Sequence, residues 1–264
     1  VQKDLLQYDD CIDVCRDMDI VINLVAYIRG AKEQSYTPVD LVRNNVVPSI
    51  NMMDAAVKSR IDRFGFVGSS TMYPDVSYPV REEEGFSGEP HRVYTGVGWM
   101  KRYCETVCKH FHEVTNTKFA MIRTTAIYGP HDAFNEKGHV IPQLILKAKH
   151  RDDPFEVWGD GEQVRDFIYV DDVVDALLNV IEHRPSAVPY NVATGKATTI
   201  KELAKLITEI YQYEPKFNFD VTKPSMIPKR LVDVSKISDD LGWRARIDLR
   251  AGLQKTVSWL EEQG

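Results

Sequence analysis

Short, largely apolar runs of strand length recur between longer segments of helical periodicity. This alternation restricts the fold more than any other feature of the chain. Ile20–Ala26 (IVINLVA), Arg63–Gly68 (RFGFVG) and Phe119–Arg123 (FAMIR) are rich in β-branched or aromatic residues, as strands covered on both faces are. A helix near Tyr8–Arg16 precedes the first run. Val39–Ser59 carries Leu41, Val42, Val46, Ile50, Met53, Ala56 and Val57 at helical spacing, and Trp99–His112 forms another helix. Strands alternating with helices predict an α/β fold with a parallel sheet.

The texture changes after Pro130. The sequence predicts a helix over Val140–His150, a strand over Phe155–Gly159 and a turn at Asp160-Gly161. A strand over Asp166–Val170 should lead into a helix over Val173–Glu182, capped by Asp171-Asp172. An amphipathic helix over Ile200–Tyr211 starts at Thr198/Thr199. Pro215–Pro228 reads as a loop with one short strand, and a last helix covers Leu249–Glu262. No repeat and no low-complexity run is present. The second half is thus a mixed set of small elements.

At 264 residues with 43% hydrophobic and 27% charged content, the chain can bury a substantial core. Lys+Arg 33 against Asp+Glu 39 gives a net charge of −6, which argues against general nucleic-acid binding. The longest apolar stretch, Asp19–Tyr27, falls far short of the roughly 20 residues of a membrane span. No signal peptide or basic transit segment opens the sequence. The four cysteines fall as Cys11/Cys15 and Cys104/Cys108, each pair at i,i+4, without a C-x2-C knuckle. They read as small, half-buried side chains in a reducing cytoplasm rather than as zinc ligands or disulfides.

A series of motifs, in order along nearly the whole chain, carries a resemblance. They are DIVINLVA at 19–26, NNVVPSINMMDAA at 44–56, GSSTMYP at 68–74 and GWMKRYCE at 98–105. MIRTTAIYGPHDAF at 121–134, GHVIP at 138–142, VWGDGEQVRDFIYVDDVV at 157–174 and RLVDVSK at 230–236 follow. Together they resemble the extended short-chain dehydrogenase/reductases that act on nucleotide sugars, a family of epimerases, 4,6-dehydratases and reductases. GSSTMYP, YGPHDAF and GHVIP look most like the GDP-fucose synthase branch, beside the sugar 4-epimerases. The resemblance implies a Rossmann-like doubly wound parallel sheet with a smaller mixed α/β substrate lobe. Residues 1–130 would form a partial dinucleotide-binding lobe, with 160–195 partly returning to it, and 131–264 the nucleotide-sugar lobe.

The family's pattern is departed from twice. No G-x-x-G-x-x-G turn occurs in the sequence, although that turn brings a cofactor pyrophosphate to backbone N–H groups at a helix N-terminus. The sheet is therefore expected to be incomplete on its N-terminal side, with a hydrophobic edge beside Ile20–Ala26. A fragment is the expected reason; a lost phosphate loop or a partner that supplies the edge are the alternatives. Second, the family's Y-x-x-x-K motif, anchored on Trp99 and Lys101, places its tyrosine at Val97. A phenol must give or take a proton near neutral pH, and an ammonium one turn away lowers its pKa. Valine has no proton to exchange. Tyr94, three residues earlier, could substitute only if the start of the helix were rearranged.

The remaining site residues are those the resemblance implies. Ser69, after a buried strand, would bond the substrate oxygen that is oxidised or reduced; read alone, it is a turn residue that caps a helix. Lys101 would hold the nicotinamide ribose hydroxyls. Thr71 and His139 match the Cys/His acid–base pair of the GDP-fucose synthase branch; threonine is a poor acid or base, whereas His139 titrates near neutrality. Arg165 and Arg230 would bind a diphosphate through their bidentate forks, Asp233 would accept from a ribose hydroxyl, and Trp158 lies nearby. Arg165 read alone would pair with Asp166, Asp171 or Asp172. On the cofactor side stand Asp4 and Leu5 beside the adenine, then Leu24, Ala26 and Asn45, with Thr124 and Thr125 flanking the nicotinamide. Ala126 replaces an Asn of many relatives.

The expected function is that of an NAD- or NADP-dependent nucleotide-sugar epimerase or 4-keto-sugar reductase, impaired at Val97. The alternative is a family member that binds a nucleotide sugar or a partner chain without catalysis. No metal, nucleic acid or membrane is expected. The family further implies a cytoplasmic homodimer formed through the helices of residues 39–59 and 99–112.

Overall fold

In Arg63–Ser69 (β2) every side chain has one of two faces to fill. Phe64 and Phe66 enter one apolar cluster, and Val67 packs on another across the sheet. Lys118–Thr124 (β3) repeats the division, with Phe119 and Met121 on the first side and Ala120 and Ile122 on the second. Such residues read as a continuous apolar run because neither face meets water. Each large side chain buried in this way contributes roughly 1.5–3 kcal/mol.

The computed structural model describes residues 1–27, 39–135, 138–223 and 226–263. Ile20–Asn23 (β1), β2, β3 and Pro189–Val192 (β8) form a parallel sheet in the order β1-β2-β3-β8. Tyr8–Cys15 (α1), Val39–Lys58 (α2) and Thr95–Val114 (α3) pack in sequence with each other and cover one face. Val170–His183 (α5) covers the other, together with Ser235–Leu241 (α7). Helices on both faces of a parallel sheet make the fold doubly wound. At Gly65 an added Cβ would lie 2.7 Å from the Ile181 Cδ1 of α5, so a larger residue there would displace that side chain.

A separate apolar cluster gathers Val140–Lys149 (α4), Phe155–Trp158 (β5), Ile200–Ile210 (α6) and Leu249–Glu262 (α8). Thr199 caps α6 through a reciprocal bond with Glu202. Short pairs complete this region. Ala126–Tyr128 (β4) lies on Phe167–Tyr169 (β7), β5 on Phe217–Asp220 (β10), and Val164–Arg165 (β6) between Thr198–Thr199 (β9) and Lys229–Arg230 (β11).

Several boundaries differ from the sequence reading. The first strand stops at Asn23, because Val25 N–H turns back to Asn23 Oδ1. The helix expected from Trp99 starts at Thr95. The helix expected from Val173 begins at Val170, so Asp171 and Asp172 lie in its first turn rather than cap it. Asp172 instead accepts from the backbone N–H groups of Arg246 and Ile247, which fixes the segment leading into α8. β4, β8, β9, β11 and α7 had no distinct signal in the sequence. Residues 224–225 of the Pro-rich stretch lie outside the described residues. The four cysteines are fully buried rather than half-buried; all are free thiols in the cluster beneath α1, α2 and α3. Along β1, the edge away from β2 pairs with no strand among the described residues, and Leu24 beyond it is 67% exposed.

Candidate active site

The C-terminal ends of β2 and β3 place Ser69 directly opposite Thr124. Ligand-binding groups of open α/β sheets stand at this end of the strands. Ser69 also caps the turn Ser70–Met72: its Oγ accepts from Thr71 N at 3.2 Å and from the Thr71 hydroxyl at 3.0 Å. Cap and substrate donor are compatible roles, because a hydroxyl that accepts twice still has its own proton to give.

Lys101 reaches the same strand from α3. Its Nζ donates to Val67 O at 2.9 Å and stands 5.1 Å from the centre of the Phe66 ring. Burial pushes its ammonium below the usual lysine range. Val97 is half-buried in the first turn of α3, one turn before Lys101 and on the same side of the helix. Val97, where the motif spacing expects a phenol, has no group to bond Lys101.

A buried network supports these strand ends. Arg123 of β3 and Glu105 of α3 form a salt bridge of 2.7 Å with side chains 1% and 0% exposed. Arg123 also donates to Tyr73 Oη and Glu82 O. Tyr73 in turn donates to Asn191 Oδ1, and Asn191 N donates to Glu82 Oε1. The loop after β2 is thus pinned to β3, α3 and β8.

Of the other residues on the expected cofactor side, Asn45 is bonded to both backbone groups of Tyr27 and to Leu41 O, which anchors the segment of Leu24 and Ala26 after β1. Asp4 accepts from Leu6 N, and Leu5 O accepts from Asn51, so both are tied to α1 and α2. Thr125 follows Thr124 with its Oγ1 buried and unpartnered. An orphaned buried hydroxyl one residue beyond the Ser69–Thr124 pair fits a group that a bound nicotinamide ribose would meet. The pyrophosphate half is not matched in this way, because the sequence has no glycine-rich turn.

The two expected diphosphate arginines are brought together. Arg165 and Arg230 are paired across β6 and β11, so their side chains leave the same face. Arg230 is 5% exposed; it donates to Pro74 O and Tyr73 O, while its Nε is buried without a partner. Arg165 donates to Val164 O and lies near the phenol of Tyr94. Among the described residues no carboxylate pairs with either guanidinium. The neighbouring acids are otherwise engaged: Asp166 accepts from Thr194 and Gly195, and Asp172 serves the segment before α8. Burial lowers the pKa of both arginines, the expected cost of desolvated cations without anions.

The other expected residues lie apart from this cluster or are already occupied. His139 is exposed, with Nδ1 4.0 Å from Asp132 Oδ1; no hydrogen bond joins it to Thr71, whose hydroxyl is given to Ser69. Asp233 accepts from Ser235 N, which holds its carboxyl below the usual range, and faces Arg81 at 3.4 Å. Trp158 is partly exposed and donates to Glu156. Tyr94, weighed in the sequence only as a stand-in for the missing acid, is turned toward Arg165 and Arg230. Glu105, Arg123, Tyr73 and Asn191 had no signal, because their partners are distant in sequence.

Residues 1–193 match the profile of the NAD dependent epimerase/dehydratase family. The chain belongs to that family. It is 32% identical over 252 residues to a probable GDP-L-fucose synthase 1 of Oryza sativa subsp. japonica, covering 92% of this chain and 76% of the relative. It is 30% identical to the GDP-L-fucose synthase of Escherichia coli (strain K12), covering 93% of this chain and 81% of that one. Among solved structures, a GDP-6-OMe-4-keto-L-xylo-heptose reductase from C. jejuni superposes with a TM-score of 0.91 at 22% identity, over 99% of this chain and 88% of that one. This last likeness supports the fold alone.

Proposed function

We propose that the chain binds a nucleoside diphosphate sugar beside NAD or NADP and has the scaffold of a nucleotide-sugar epimerase or 4-keto-sugar reductase, impaired at the proton-transfer step. The carrying observation is the Arg165–Arg230 pair, two guanidiniums in register, one half-buried and one buried, with no carboxylate partner among the described residues. A diphosphate supplies the missing charge, and a guanidinium fork matches its oxygens. In this reading residues 1–130, with 160–195, form the dinucleotide side and 131–264 the sugar side.

Bound NAD(P) would supply hydride transfer to or from a sugar carbon. Ser69 would donate its free proton to the sugar oxygen and hold that carbon in place. Lys101, already desolvated, would bond the ribose hydroxyls through N–H groups not given to Val67 O. Neither residue replaces a phenol that moves the hydroxyl proton, so the reaction stops at Val97. Thr71 with His139 would not make a two-base pair, since threonine does not titrate near neutrality.

Val97→Tyr tests the reading. The variant, mixed with NAD(P) and a UDP- or GDP-sugar, should gain turnover of at least about a hundredfold, the usual scale of one general acid–base group. A variant that binds nucleotide sugars with no gain in turnover would leave a binding protein in place of an impaired enzyme. We also propose a homodimer through α2 and α3 in a reducing cytoplasm. Trp99 and Tyr103 of α3 are 45% and 54% exposed, a surface suited to burial against a second copy. A monomer mass at sedimentation equilibrium would refute the dimer.

A further inference from the structure

Arg102 of α3 is a buried cation with no part in the chemistry derived above. It is 2% exposed, and among the described residues no carboxylate forms an ion pair with it. Its bonds go to two carbonyls: Nε donates to Met72 O at 3.0 Å, and a terminal nitrogen donates to Gly88 O. The guanidinium lies 4.8 Å from the centre of the Trp99 ring and 5.6 Å from that of Phe86. A desolvated cation that meets carbonyls alone is costly. What it supplies here is geometry, since one planar fork spans two separate segments of the chain.

The first of these segments sets the orientation of Ser69. The turn Ser70–Met72 follows that residue, and both Thr71 N and the Thr71 hydroxyl donate to Ser69 Oγ. Three successive carbonyls of this stretch are taken by arginines: Met72 O by Arg102, then Tyr73 O and Pro74 O by Arg230. Arg230 holds the stretch to β11, and Arg102 gives the hydrogen bond that joins it to α3. Packing there is close. At Gly98 an added Cβ would lie 2.9 Å from Thr71 O and 2.6 Å from Pro90. Trp99 Nε1 donates to Glu89 Oε2 at 2.9 Å. The first two turns of α3 thus grip residues 71–72 and 88–90, and Val97 adjoins the tightest contact.

We propose that Arg102 is a positioning residue: by holding Met72 O and Gly88 O it sets the turn after β2 against α3, and so orients the Ser69 hydroxyl relative to position 97. The inference rests on the epimerase or reductase scaffold proposed above. Arg102 touches no reacting atom. It acts through Met72 O on the turn, and through Thr71 on Ser69 Oγ. Lys101 is fixed separately, by its bond to Val67 O. Without the guanidinium, Thr71 N–H is free to leave Ser69 Oγ, and a misplacement of about 1 Å in a reacting group can cost about a hundredfold in rate. Lysine at position 102 would keep the charge but lacks the fork that spans both carbonyls.

The test compares Arg102→Lys and Arg102→Met with the full wild-type chain by amide hydrogen exchange, and repeats both substitutions in the Val97→Tyr background for turnover. The lysine variant keeps the cation, so it decides the matter if the methionine variant does not fold. The amides of Thr71 and Tyr73 should exchange at least about tenfold faster, the scale of one hydrogen bond to a charged group, while those of β2 and β3 keep their wild-type rates. With Val97→Tyr, kcat should fall at least about tenfold and calorimetric affinity for UDP or GDP should stay within about twofold. Unchanged exchange at Thr71 and Tyr73 overturns the role of Arg102. Equal acceleration across β2 and β3 makes it a general support of the fold and also overturns it. So does an unchanged kcat, or a loss of nucleotide affinity as large as the loss of kcat; each of these leaves the nucleotide-sugar reading standing. A Val97→Tyr chain without turnover overturns the enzymatic reading and, with it, the role given to Arg102.

Discussion

Arg123 and the Arg165–Arg230 pair are the same kind of side chain taken out of water in two different ways. Arg123 lies at the centre of a closed network, with Glu105 on its fork and Tyr73 and Glu82 O on its remaining donors. Its charge is neutralised within the fold. Arg230 is nearly as deeply buried, yet it meets only two carbonyls and leaves Nε unpaired, and the half-buried Arg165 has a carbonyl. Desolvation costs are comparable, but only the first is offset by an anion of the protein. Burial therefore does not separate a structural cation from a functional one; the identity of the counter-charge does. Where the described residues supply none, the cation keeps an uncompensated charge.

Breaking the closed network should have the largest effect. Glu105→Gln leaves Arg123 buried without its carboxylate and should destabilise the fold by about 3–5 kcal/mol, read as a drop in the urea midpoint. An unchanged midpoint would mean that Arg123 is no better compensated than Arg165, and the contrast would collapse.

The reverse substitution at the open pair should leave stability nearly intact. Arg165→Met removes a desolvated charge with no carboxylate partner, so unfolding should change by less than about 1 kcal/mol, in either direction. Binding of UDP or GDP should nevertheless weaken by about tenfold or more. A large loss of stability in this variant would place Arg165 with Arg123 as a structural cation.

The smallest effect concerns a third cation, Lys101, whose ammonium also faces a carbonyl rather than a carboxylate. Burial depresses its pKa in the folded state. Between that depressed value and the unfolded lysine value the unfolded chain binds more protons, so folding stability must rise with pH in this window. Relative to Lys101→Met, the wild type should become more stable as pH rises toward the ordinary lysine value of about 10. A wild type that lost stability relative to the variant over that range would indicate an anionic neighbour for Lys101.

The elements legible in the sequence were those whose environment is set locally. β2, β3, α2 and α8 were recognised because a strand covered on both faces must be apolar throughout, and a helix on a core must repeat its apolar residues at helical spacing. β8 was missed as a strand: Pro189–Val192 is four residues long and becomes a strand only because β3 offers an edge. Asp171-Asp172 looked like a helix cap for a related reason. Asp172 has the chemistry of a cap, but the N–H groups that it satisfies belong to Arg246 and Ile247, over seventy residues away. At the site, Ser69, Lys101 and Val97 could be located from motif spacing. His139 and Thr71 could also be located, but nothing in the spacing shows that no hydrogen bond joins them.

By itself, then, the sequence determined the alternation of strands and helices and the family, because each is written in residue types at short spacing. Only the tertiary structure decided which charges are matched. It closed Arg123 on Glu105, set Arg165 beside Arg230 without an acid, and turned Tyr94 toward them. Those outcomes depend on strand pairing between residues far apart in the chain. The electrostatic cost of a buried charge is fixed by what lies within a few ångströms of it, which no local pattern of residues records.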